Sequence, residues 1–525
     1  MTEPSQTNYE TVPFRGRPIP WASPAALSLA SSAHGGPRLD PSEPLRVLEL
    51  GCGDGAHLVP LACFRPHVHC VGVDMSPRAL AFAQRNVDTL GLANVELIES
   101  DVSTLTLEGP PFDVVIAHGL YSWVDEARRA AIRRLAGRAL REGGLLYLSF
   151  NAQPGWSVRG RVRDALQRSG CRTPEQARRH LEGLRALLPA DIEDAWSGLL
   201  AGELDRALSG EDGYLMHEYL ASHNAAFWLG DVVRDLSTEG LTYVGDATFD
   251  RREGFVPPEL RAQVSVFGGD RVQRAEALDL RLYRQLHCAV FAKADALAEP
   301  PGGAELVTSS WIACAMHRRN DPFDAREGME EIFDGPHGRE TRVTSATVKM
   351  ALLVLAAGYP RALRIEALHA ECRDRLAEHH IGAGPIDELA DALALLHAQL
   401  QVELRHEPAA LRSEVDERPV AHPLTRVEAA HMNVLCTPNH VMVPIEPIDR
   451  AIIARLDGRS TASEIVDALA LDISEDRLVL EGAPSGAARI RALLESKVQA
   501  TITLLGWWGL VHAGSASQGT NESGR

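Results

Sequence analysis

The strongest chemical signal in the sequence is a short run that joins one acid to three glycines, Glu49-Leu50-Gly51-Cys52-Gly53-Asp54-Gly55. Because glycine has no Cβ, glycines at alternate positions let the backbone turn tightly and approach a ligand closely. Glycine triplets also arise by chance in turns. Here, however, the run follows an apolar segment, 45–50, that suits a buried strand, and it leads into a helical segment at 57–64. That setting predicts a nucleotide-binding loop.

Two further acids stand where later predicted strands end. Asp74 closes the second predicted strand, 68–74, and Asp101 follows the third, 95–99. Taken singly, each aspartate is better explained as a helix cap or a solvated turn. Ligands of doubly wound sheets, however, lie at the carboxyl ends of the strands, so Glu49, Asp74 and Asp101 should converge on one pocket. Together with the glycine loop, the three acids favour ligand binding.

The spacing of the loop indicates which nucleotide binds. A dinucleotide fingerprint has the form GxGxxG, whereas this loop reads ExGxGxG, which disfavours NAD. The loop resembles motif I of the class I methyltransferases that use S-adenosylmethionine (SAM). The resemblance implies SAM as the cofactor, with Glu49 at its amino-acid end, Asp74 at the ribose hydroxyls and Asp101 at the adenine amino group. The predicted cofactor-binding residues are Glu49, Gly51, Cys52, Gly53, Gly55, Asp74, Met75, Ser100, Asp101, Val102 and His118.

Further motifs, which occur along nearly the whole chain, narrow this resemblance to one family of methyltransferases. They are YETVPF at 9–14, HGLYSWV at 118–124, SFNAQPGW at 149–156, HEYL at 217–220, and the segments 281–291 and 423–458. The chain is similar to bacterial methyltransferases that carry a methyltransferase regulatory domain, among them the outer-membrane-protein lysine methyltransferases. In that family the segment after the fifth strand usually reads SYNTYPGW. Phe150, Ala152 and Gln153 therefore replace two tyrosines and a threonine, a departure that bears on the methyl acceptor.

The resemblance also suggests which residues bind the acceptor. A lysine must lose its proton before methylation, and burial in an aromatic pocket promotes that loss. Tyr9, Tyr121 and Trp123 are the candidates for the pocket wall, and Asn151 is a candidate for positioning the acceptor. The alternatives are core packing for Tyr121 and Trp123, and an arm folded over the cofactor for Tyr9. His118 is interpreted as lining the SAM site rather than as a general base; no catalytic base and no metal site are predicted.

Alternating strand and helix signals predict an α/β fold with a doubly wound, seven-stranded, Rossmann-like sheet. A helix is expected at 125–140, stopped by Gly143 and Gly144, and the segment 281–292 could be a strand or a helix. A helical insertion and a mostly helical, winged-helix-like C-terminal part complete the prediction. The predicted units are an arm (1–30), a linker (31–44) within which the core begins, a SAM-binding core (40–156), the insertion (157–236), completion of the sheet (237–297), a helical middle domain (305–410), a winged-helix-like domain (420–513) and a disordered tail (514–525).

Composition narrows the class of protein. The chain has 525 residues, of which 45% are hydrophobic and 24% charged, and its net charge is −18. These values exclude collagen-like and wholly disordered chains, and the acidic balance disfavours nucleic acid as a partner. The polar N-terminus does not resemble a secretory signal, no apolar run is long enough to span a membrane, and the eight cysteines form no CxxC pair. We therefore expect a cytoplasmic protein with reduced thiols, and the insertion is a plausible homodimer surface.

Three functions are compatible with these observations. The first is a protein methyltransferase acting on lysine side chains, for which the acidic surface would suit a basic acceptor segment. The second is a methyltransferase acting on a small molecule or natural product, which the altered SFNAQPGW segment favours. The third is a SAM-binding regulatory protein whose winged helix contacts DNA. The absence of a Lys/Arg stripe in 425–511 argues against the third function.

Overall fold

The structure is a computed structural model that describes residues 16–189, 191–251, 256–408, 417–479 and 486–512. Its strands are β1 (Arg46–Leu50), β2 (His69–Asp74), β3 (Val95–Glu99), β4 (Phe112–Ala117), β5 (Leu140–Ala152), β6 (Ala226–Phe227), β7 (Thr242–Asp246), β8 (Leu286–Ala292), β9 (Trp311–Ala313), β10 (His317–Arg318), β11 (Glu331–Asp334), β12 (Glu340–Val343), β13 (Glu403–Arg405), β14 (Val420–Ala421), β15 (Val434–Cys436), β16 (Met442–Pro444) and β17 (Val511–His512). Its helices of six or more residues are α1 (Pro24–Ala33), α2 (Leu58–Phe64), α3 (Pro77–Leu90), α4 (Glu126–Ala139), α5 (Ser157–Arg168), α6 (Pro174–Ala186), α7 (Ala195–Ser209), α8 (Leu229–Ser237), α9 (Pro258–Gln263), α10 (Arg271–Leu282), α11 (Gly303–Thr308), α12 (Ala346–Gly358), α13 (Ile365–Glu378), α14 (Ile386–Ala398), α15 (Pro423–His431), α16 (Pro447–Ile453), α17 (Ala462–Ser474) and α18 (Ala487–Trp507).

A twisted sheet with the order β3-β2-β1-β4-β5-β8-β7 forms the centre of the N-terminal part. Strands β1 to β5 are mutually parallel, whereas β8 runs antiparallel to both β5 and β7. The strands at the centre are buried on both faces because helices cover the sheet on either side, which explains their continuous apolar sequences. The predicted seven-stranded, doubly wound fold is confirmed.

The core begins earlier in the chain than the sequence predicted. The sequence analysis assigned 1–30 to an arm and 31–44 to a linker. In the structure Ile19, Ala22 and Leu27 are buried against the sheet, together with residues of β1 and β4. Helix α1 continues to Ala33, and its N-terminus is capped by the Ser23 hydroxyl. The buried apolar face of this helix makes it part of the sheet domain, and of the predicted arm residues 1–15 lie outside the described residues.

Two local predictions needed correction around β5 and β8. Helix α4 ends at Ala139, and Gly143 and Gly144 lie inside the long strand β5 instead of stopping the helix. The undecided segment 281–292 divides into the end of α10 and the strand β8. The division falls at Tyr283, which has a left-handed conformation with φ 51° and so ends the helix.

The insertion between β5 and β7 is mainly helical but includes an element that the sequence did not predict. Helices α5 to α7 and a π-helical turn, Leu215–Leu220, share a small apolar core. The two-residue strand β6 follows, and it pairs in parallel with the last residues of β5, Asn151 and Ala152. The insertion is thereby attached to the carboxyl edge of the central sheet. The exposed side chains of Leu187, Trp196 and Leu199 lie in this insertion, and the homodimer stays a prediction.

Two smaller units complete the chain. In the first, helices α12 to α14 pack with strands β9 to β13 around a separate apolar core. In the second, helices α15 to α18 enclose another core, with the hairpin β15–β16 and the pair β14–β17 at its sides. Among the residues that the structure describes, none of the helices combines the length and the apolar character needed to cross a bilayer.

The chain contains only three lysines, and each ammonium group is bound within the fold. Lys349 is fully buried and donates to the carbonyl oxygens of Asp324, Arg326 and Met329 at 2.7–2.9 Å. Lys293 donates to the carbonyl of Leu140 at 3.0 Å, and Lys497 pairs with the carboxylate of Glu446 at 2.8 Å. All other Lys/Arg positions are arginine, so the cationic surface consists almost entirely of guanidinium groups.

Candidate active site

The glycine loop turns back over the end of β2. The backbone N–H groups of Gly51 and Cys52 both donate to the carbonyl of Val73, at 2.8 and 3.1 Å. Gly51, Gly53 and Gly55 all have positive φ angles, of 74°, 54° and 75°. A Cβ added at Gly55 would lie 2.9 Å from Val59 and 3.0 Å from a side-chain atom of α3, so this position requires glycine for both its conformation and its packing.

Asp74 holds the loop in place from the end of β2. Its carboxylate accepts one hydrogen bond from the backbone N–H of Gly53 at 2.8 Å and another from the N–H of Ser76 at 2.9 Å. The side chain therefore has a structural role in shaping the loop, which the sequence analysis did not predict. Its carboxylate remains partly exposed at the carboxyl edge of the sheet, where the predicted contact with the ribose would form.

Glu49 is the most unusual group in the site. Its side chain is 5% exposed, and among the described residues its Oε2 atom is buried without a hydrogen-bond partner. Burial, together with the negative charges of Asp54 and Asp74, raises the pKa of this carboxyl to about 8. An unpartnered buried carboxyl is costly unless something satisfies it. The arrangement is suited to a ligand that brings a positive charge to the end of β1.

Asp101 differs from the other two acids because it forms an ion pair with an arginine of the protein itself. Both side-chain nitrogens Nε and Nη2 of Arg128 donate to one carboxylate oxygen, at 2.9 and 2.7 Å, while Ser103 donates to the other. Burial acts to raise the pKa of this carboxyl, but the bonds from Arg128 and Ser103 outweigh it and hold the pKa below its usual range. Arg128 lies on α4, and nothing in the local sequence around Asp101 indicated this ion pair. The predicted contact of Asp101 with adenine stays a prediction.

His118 lies at the end of β4 and is tied to the buried N-terminal segment. Its Nδ1 is 2.9 Å from the hydroxyl of Tyr147, which also accepts a hydrogen bond from the indole N–H of Trp21 at 2.8 Å. Burial lowers the pKa of His118 to about 4, so the imidazole is neutral at pH 7.

The remaining predicted cofactor residues line the same edge of the sheet. Cys52 is buried, and Val102 packs in the apolar core beside it. Ser100 donates its backbone N–H to the carbonyl of Asp74 at 3.0 Å, which joins the ends of β2 and β3. Met75 has 41% of its surface exposed. An exposed thioether directly after Asp74 offers an apolar surface to a flat ring.

The predicted acceptor residues have more varied environments. Tyr121 is 1% exposed, contacts the rings of Phe150 and Phe227, and accepts a hydrogen bond from Arg133 at 2.7 Å, so its packing matches the alternative that the sequence left open. Trp123 is partly exposed and donates its indole N–H to the carbonyl of His217 at 3.3 Å. Tyr9 lies outside the described residues.

Asn151 is connected by hydrogen bonds to residues for which the sequence predicted no role. Its side-chain amide donates to the Oδ1 atom of Asn224 at 2.8 Å, and the amide of Asn224 donates to the carbonyl of Glu218 at 3.0 Å. Glu218 is in the π-helical turn, and its carboxylate Oε2 is buried without a hydrogen-bond partner. The HEYL motif marked this segment, and π-helical turns are frequent at functional sites. In the described parts of the chain, no group of three or more His, Cys, Asp and Glu side chains is arranged to hold a metal ion.

Comparisons with known proteins agree with this geometry. Three protein-family models match the chain: a methyltransferase domain at 47–144, a predicted methyltransferase regulatory domain at 211–293 and the C-terminal winged helix domain of the PKMTs at 417–510. The solved structure of PKMT2 from Rickettsia typhi superposes with a TM-score of 0.83, at 19% identity, over 95% of this chain and all of that one. A second structure of that protein is a complex with AdoHcy, the demethylated product of SAM.

Two curated proteins are similar in sequence to this chain, over very different lengths. An uncharacterized protein of Rickettsia prowazekii is 24% identical over 494 residues, which cover 90% of this chain and 87% of that one. The release factor glutamine methyltransferase of Escherichia coli is 36% identical over 86 residues, covering 16% of this chain and 30% of that one. The second similarity is therefore limited to a small part of both proteins.

The fold, the glycine loop and the methyltransferase-domain match together define a class I SAM-dependent methyltransferase. Within that class the chain resembles the PKMTs, with which it shares the winged helix domain and the overall architecture. The match to the methyltransferase domain confirms the predicted cofactor, SAM.

The residues of the loop suit this cofactor. SAM carries an ammonium group and a sulfonium, and the sulfonium activates the methyl group for transfer. The unpartnered Oε2 of Glu49 provides an acceptor for a cationic donor, and Asp54 and Asp74 add negative charge to the same edge. Gly53, where a Cβ would meet nothing within 4 Å, leaves open space beside the loop. Glu49 and the loop would therefore hold the cofactor's amino-acid end.

The substitution Glu49→Gln tests this assignment. We expect it to weaken AdoHcy binding by about ten- to a hundredfold, because a hydrogen bond to a charged group contributes about 1.5–3 kcal/mol. Isothermal titration calorimetry on the folded variant measures the effect. The matched control is Glu96→Gln, an exposed position on β3, which should bind AdoHcy like the unmodified protein. Unchanged affinity in Glu49→Gln would remove Glu49 from the site.

The raised pKa of Glu49 predicts that cofactor binding depends on pH. Below pH 8 the free protein holds this carboxyl protonated, because its pKa is raised to about 8. A bound ammonium favours the ionised form, so a proton leaves when AdoHcy binds. The affinity should rise by up to about tenfold per pH unit from pH 6 to 8. Calorimetry in two buffers of different ionisation enthalpy should detect the released proton, and Glu49→Gln should abolish the release. A heat independent of the buffer at pH 7 would contradict the assignment.

Proposed function

We propose that this methyltransferase transfers the methyl group of SAM to the side-chain amine of lysine residues in a protein. The observation that carries the proposal is the match of residues 417–510 to the C-terminal winged helix domain of the PKMTs. The likeness to PKMT2 over 95% of the chain supports it, because all the additional units are shared and not only the sheet that binds the cofactor. The net charge of −18 is suited to a basic acceptor segment.

The acceptor would enter at the carboxyl ends of β4 and β5, beside the cofactor. The π-helical turn borders this edge, since the carbonyl of His217 accepts from Trp123 and the carbonyl of Glu218 accepts from Asn224. Asn224 in turn is bonded to Asn151 at the end of β5. These three hydrogen bonds fix the turn against the strands that carry the cofactor.

Glu218 has the chemistry that an amine acceptor needs. Its buried Oε2 has no hydrogen-bond partner in the part of the chain that the structure describes, and a lysine amine would supply one. Burial raises the pKa of this carboxyl, while the positive charge of Arg159, a hydrogen bond from the Asn224 side chain and the positive charge of Arg163 act in the opposite direction. The lysine nitrogen must lose its proton before its lone pair can attack the methyl carbon; the new C–N bond then forms as the C–S bond breaks and AdoHcy leaves. Alignment and removal of water are the main contributions of the enzyme to such a displacement.

The alternative of a small-molecule acceptor rests on the altered segment at the end of β5. In the structure Phe150 is fully buried in the core against Tyr121 and Phe227, and Ala152 is buried as well. Hydroxyl groups at these two positions would lie inside the sheet domain and not in a pocket. Only Gln153 of the three replaced positions is partly exposed. The departure from the family pattern therefore gives little support to a different acceptor.

Incubation of the purified protein with methyl-labelled SAM and an arginine- and lysine-rich protein mixture tests the proposal. We expect label in protein, and specifically in mono-, di- or trimethyllysine after hydrolysis and amino-acid analysis. The Glu49→Gln protein is the control for label that arises without bound cofactor. Label found only in small molecules, or only in amino acids other than lysine, would contradict the proposal.

The substitution Glu218→Gln tests the acceptor side separately from the cofactor side. It keeps the shape but removes the charge, and we expect kcat/KM for the labelled protein acceptor to fall by about ten- to a hundredfold. AdoHcy affinity should be unchanged, because Glu218 is outside the glycine loop.

The matched control for Glu218→Gln is Glu211→Gln, an exposed position at the start of the same segment, which should leave both quantities unchanged. An equal loss in both variants, or a loss of AdoHcy binding in Glu218→Gln, would show that the effect is structural and not acceptor recognition.

A further inference from the structure

The winged-helix unit, residues 417–512, packs directly against α2, the helix that follows the glycine loop. At the C-terminal end of α2 the ring of Phe64 stacks on His422, with ring centres 4.6 Å apart and planes inclined by 26°. The next residue, Arg65, donates to the carbonyl of Pro438 in this unit at 2.9 Å, and it also forms an ion pair with Glu407, which precedes the unit. Both ends of this contact are buried or half-buried, so the C-terminal unit is firmly attached to the helix.

A second contact reaches the N-terminal end of α2, next to the loop itself. The loop between β15 and β16 carries His440, whose Nε2 lies 3.3 Å from the carbonyl oxygen of His57. His57 is two residues after Gly55, and both histidines are almost fully buried, at 2% and 0% exposure. The two imidazole rings are neighbours, with centres 4.7 Å apart. The C-terminal unit therefore contacts the backbone at the point where the cofactor loop becomes a helix.

The hydrogen bonds of the two rings determine where their protons are. The backbone N–H of Ile19 donates to Nδ1 of His57 at 3.2 Å, so the proton of the neutral His57 ring is on Nε2. His440 donates from Nε2 to the His57 carbonyl, so its Nδ1 carries a lone pair. Burial lowers the pKa of His440 to about 3 and that of His57 well below its usual value, so both rings are neutral.

This assignment leaves one donor on His57 and one acceptor on His440. With respect to the described residues, Nε2 of His57 and Nδ1 of His440 are both buried without a hydrogen-bond partner. Because one is a donor and the other an acceptor on adjacent rings, a small rotation or a single bridging water would satisfy both. The pair is therefore chemically complementary across the boundary between the two units.

From these contacts we propose that the winged-helix unit contributes to SAM binding, because it holds the residues that follow the glycine loop. His440 is a positioning residue: it holds the carbonyl and the ring of His57, and thereby fixes the turn that follows Gly55. Cofactor affinity then depends on the docked C-terminal unit. Linkage requires the reverse as well, so a bound cofactor must strengthen the docking of the winged helix by the same factor.

Two substitutions at one position test the proposal. His440 has a left-handed backbone, φ 59°, and Leu and Gln bear a similar cost there, so His440→Leu and His440→Gln differ mainly in the donor group. The Gln amide can donate to the His57 carbonyl, whereas Leu cannot. We expect the Kd for AdoHcy to rise by about three- to tenfold in His440→Leu and to stay within about twofold in His440→Gln, by calorimetry on the full chain.

A control variant separates positioning from loss of stability. Leu469 is fully buried in α17, within the core of the winged-helix unit, and it makes none of the hydrogen bonds described above. Leu469→Ala should lower the melting temperature at least as much as His440→Leu but leave the Kd for AdoHcy unchanged. The proposal is overturned if His440→Leu binds like the unmodified protein, if His440→Gln is as weak as His440→Leu, or if Leu469→Ala weakens binding to the same extent.

Hydrogen exchange followed by mass spectrometry tests the reverse direction. AdoHcy should slow amide exchange in the hairpin β15–β16, and this protection should be lost in His440→Leu while protection of the glycine loop persists in part. Equal exchange of the hairpin with and without AdoHcy would refute the coupling. None of these measurements requires a methyl acceptor, so their outcome is independent of the proposed lysine specificity.

Discussion

The structure depends on one constraint: a carboxyl group buried at the end of β1 that no described residue of the chain pairs with. Glu49 would be unfavourable in a chain that only had to fold, because burial and two neighbouring acids both oppose its ionisation. The surrounding residues shield the Glu49 carboxyl from water and leave it within reach of one cationic ligand. Three glycines with positive φ bring the backbone around it, and Asp74 fixes the middle of the loop through the N–H of Gly53.

The same constraint explains why distant parts of the chain converge on the loop. A loop built from glycines has no side chains with which to anchor itself, so its neighbours must hold it. Residues near Ile19 bond to His57 from one side, and His440 bonds to the same residue from the other. The N-terminal segment and the winged-helix unit are thus both engaged at the turn from loop to helix, although neither belongs to the sheet that binds the cofactor.

The features that could be predicted from the sequence are those encoded locally. Buried parallel strands are apolar runs, and their carboxyl ends are marked by Gly and Asp, so β1 to β3 and the loop were predicted close to their observed bounds. What could not be predicted depends on partners remote in the chain. The ion pair of Asp101 with Arg128, the bond between Asn151 and Asn224 and the contact of His57 with His440, 383 residues away, leave no trace in local patterns. The two-residue strand β6 is too short to show any periodicity.

The near absence of lysine has a practical consequence. Each of the three side-chain amines is bound to carbonyl or carboxylate oxygens, and that of Lys349 is sealed in the interior. The protein therefore offers few nucleophilic nitrogens to its own activated methyl group or to any electrophile. Reagents that modify primary amines, from fluorescent esters to bifunctional cross-linkers, will find few lysine side chains to react with on this chain, since only Lys293 and Lys497 are partly exposed. In a mixture with a lysine-rich partner they will mark the partner far more heavily, which makes the two proteins chemically distinguishable without any engineered tag.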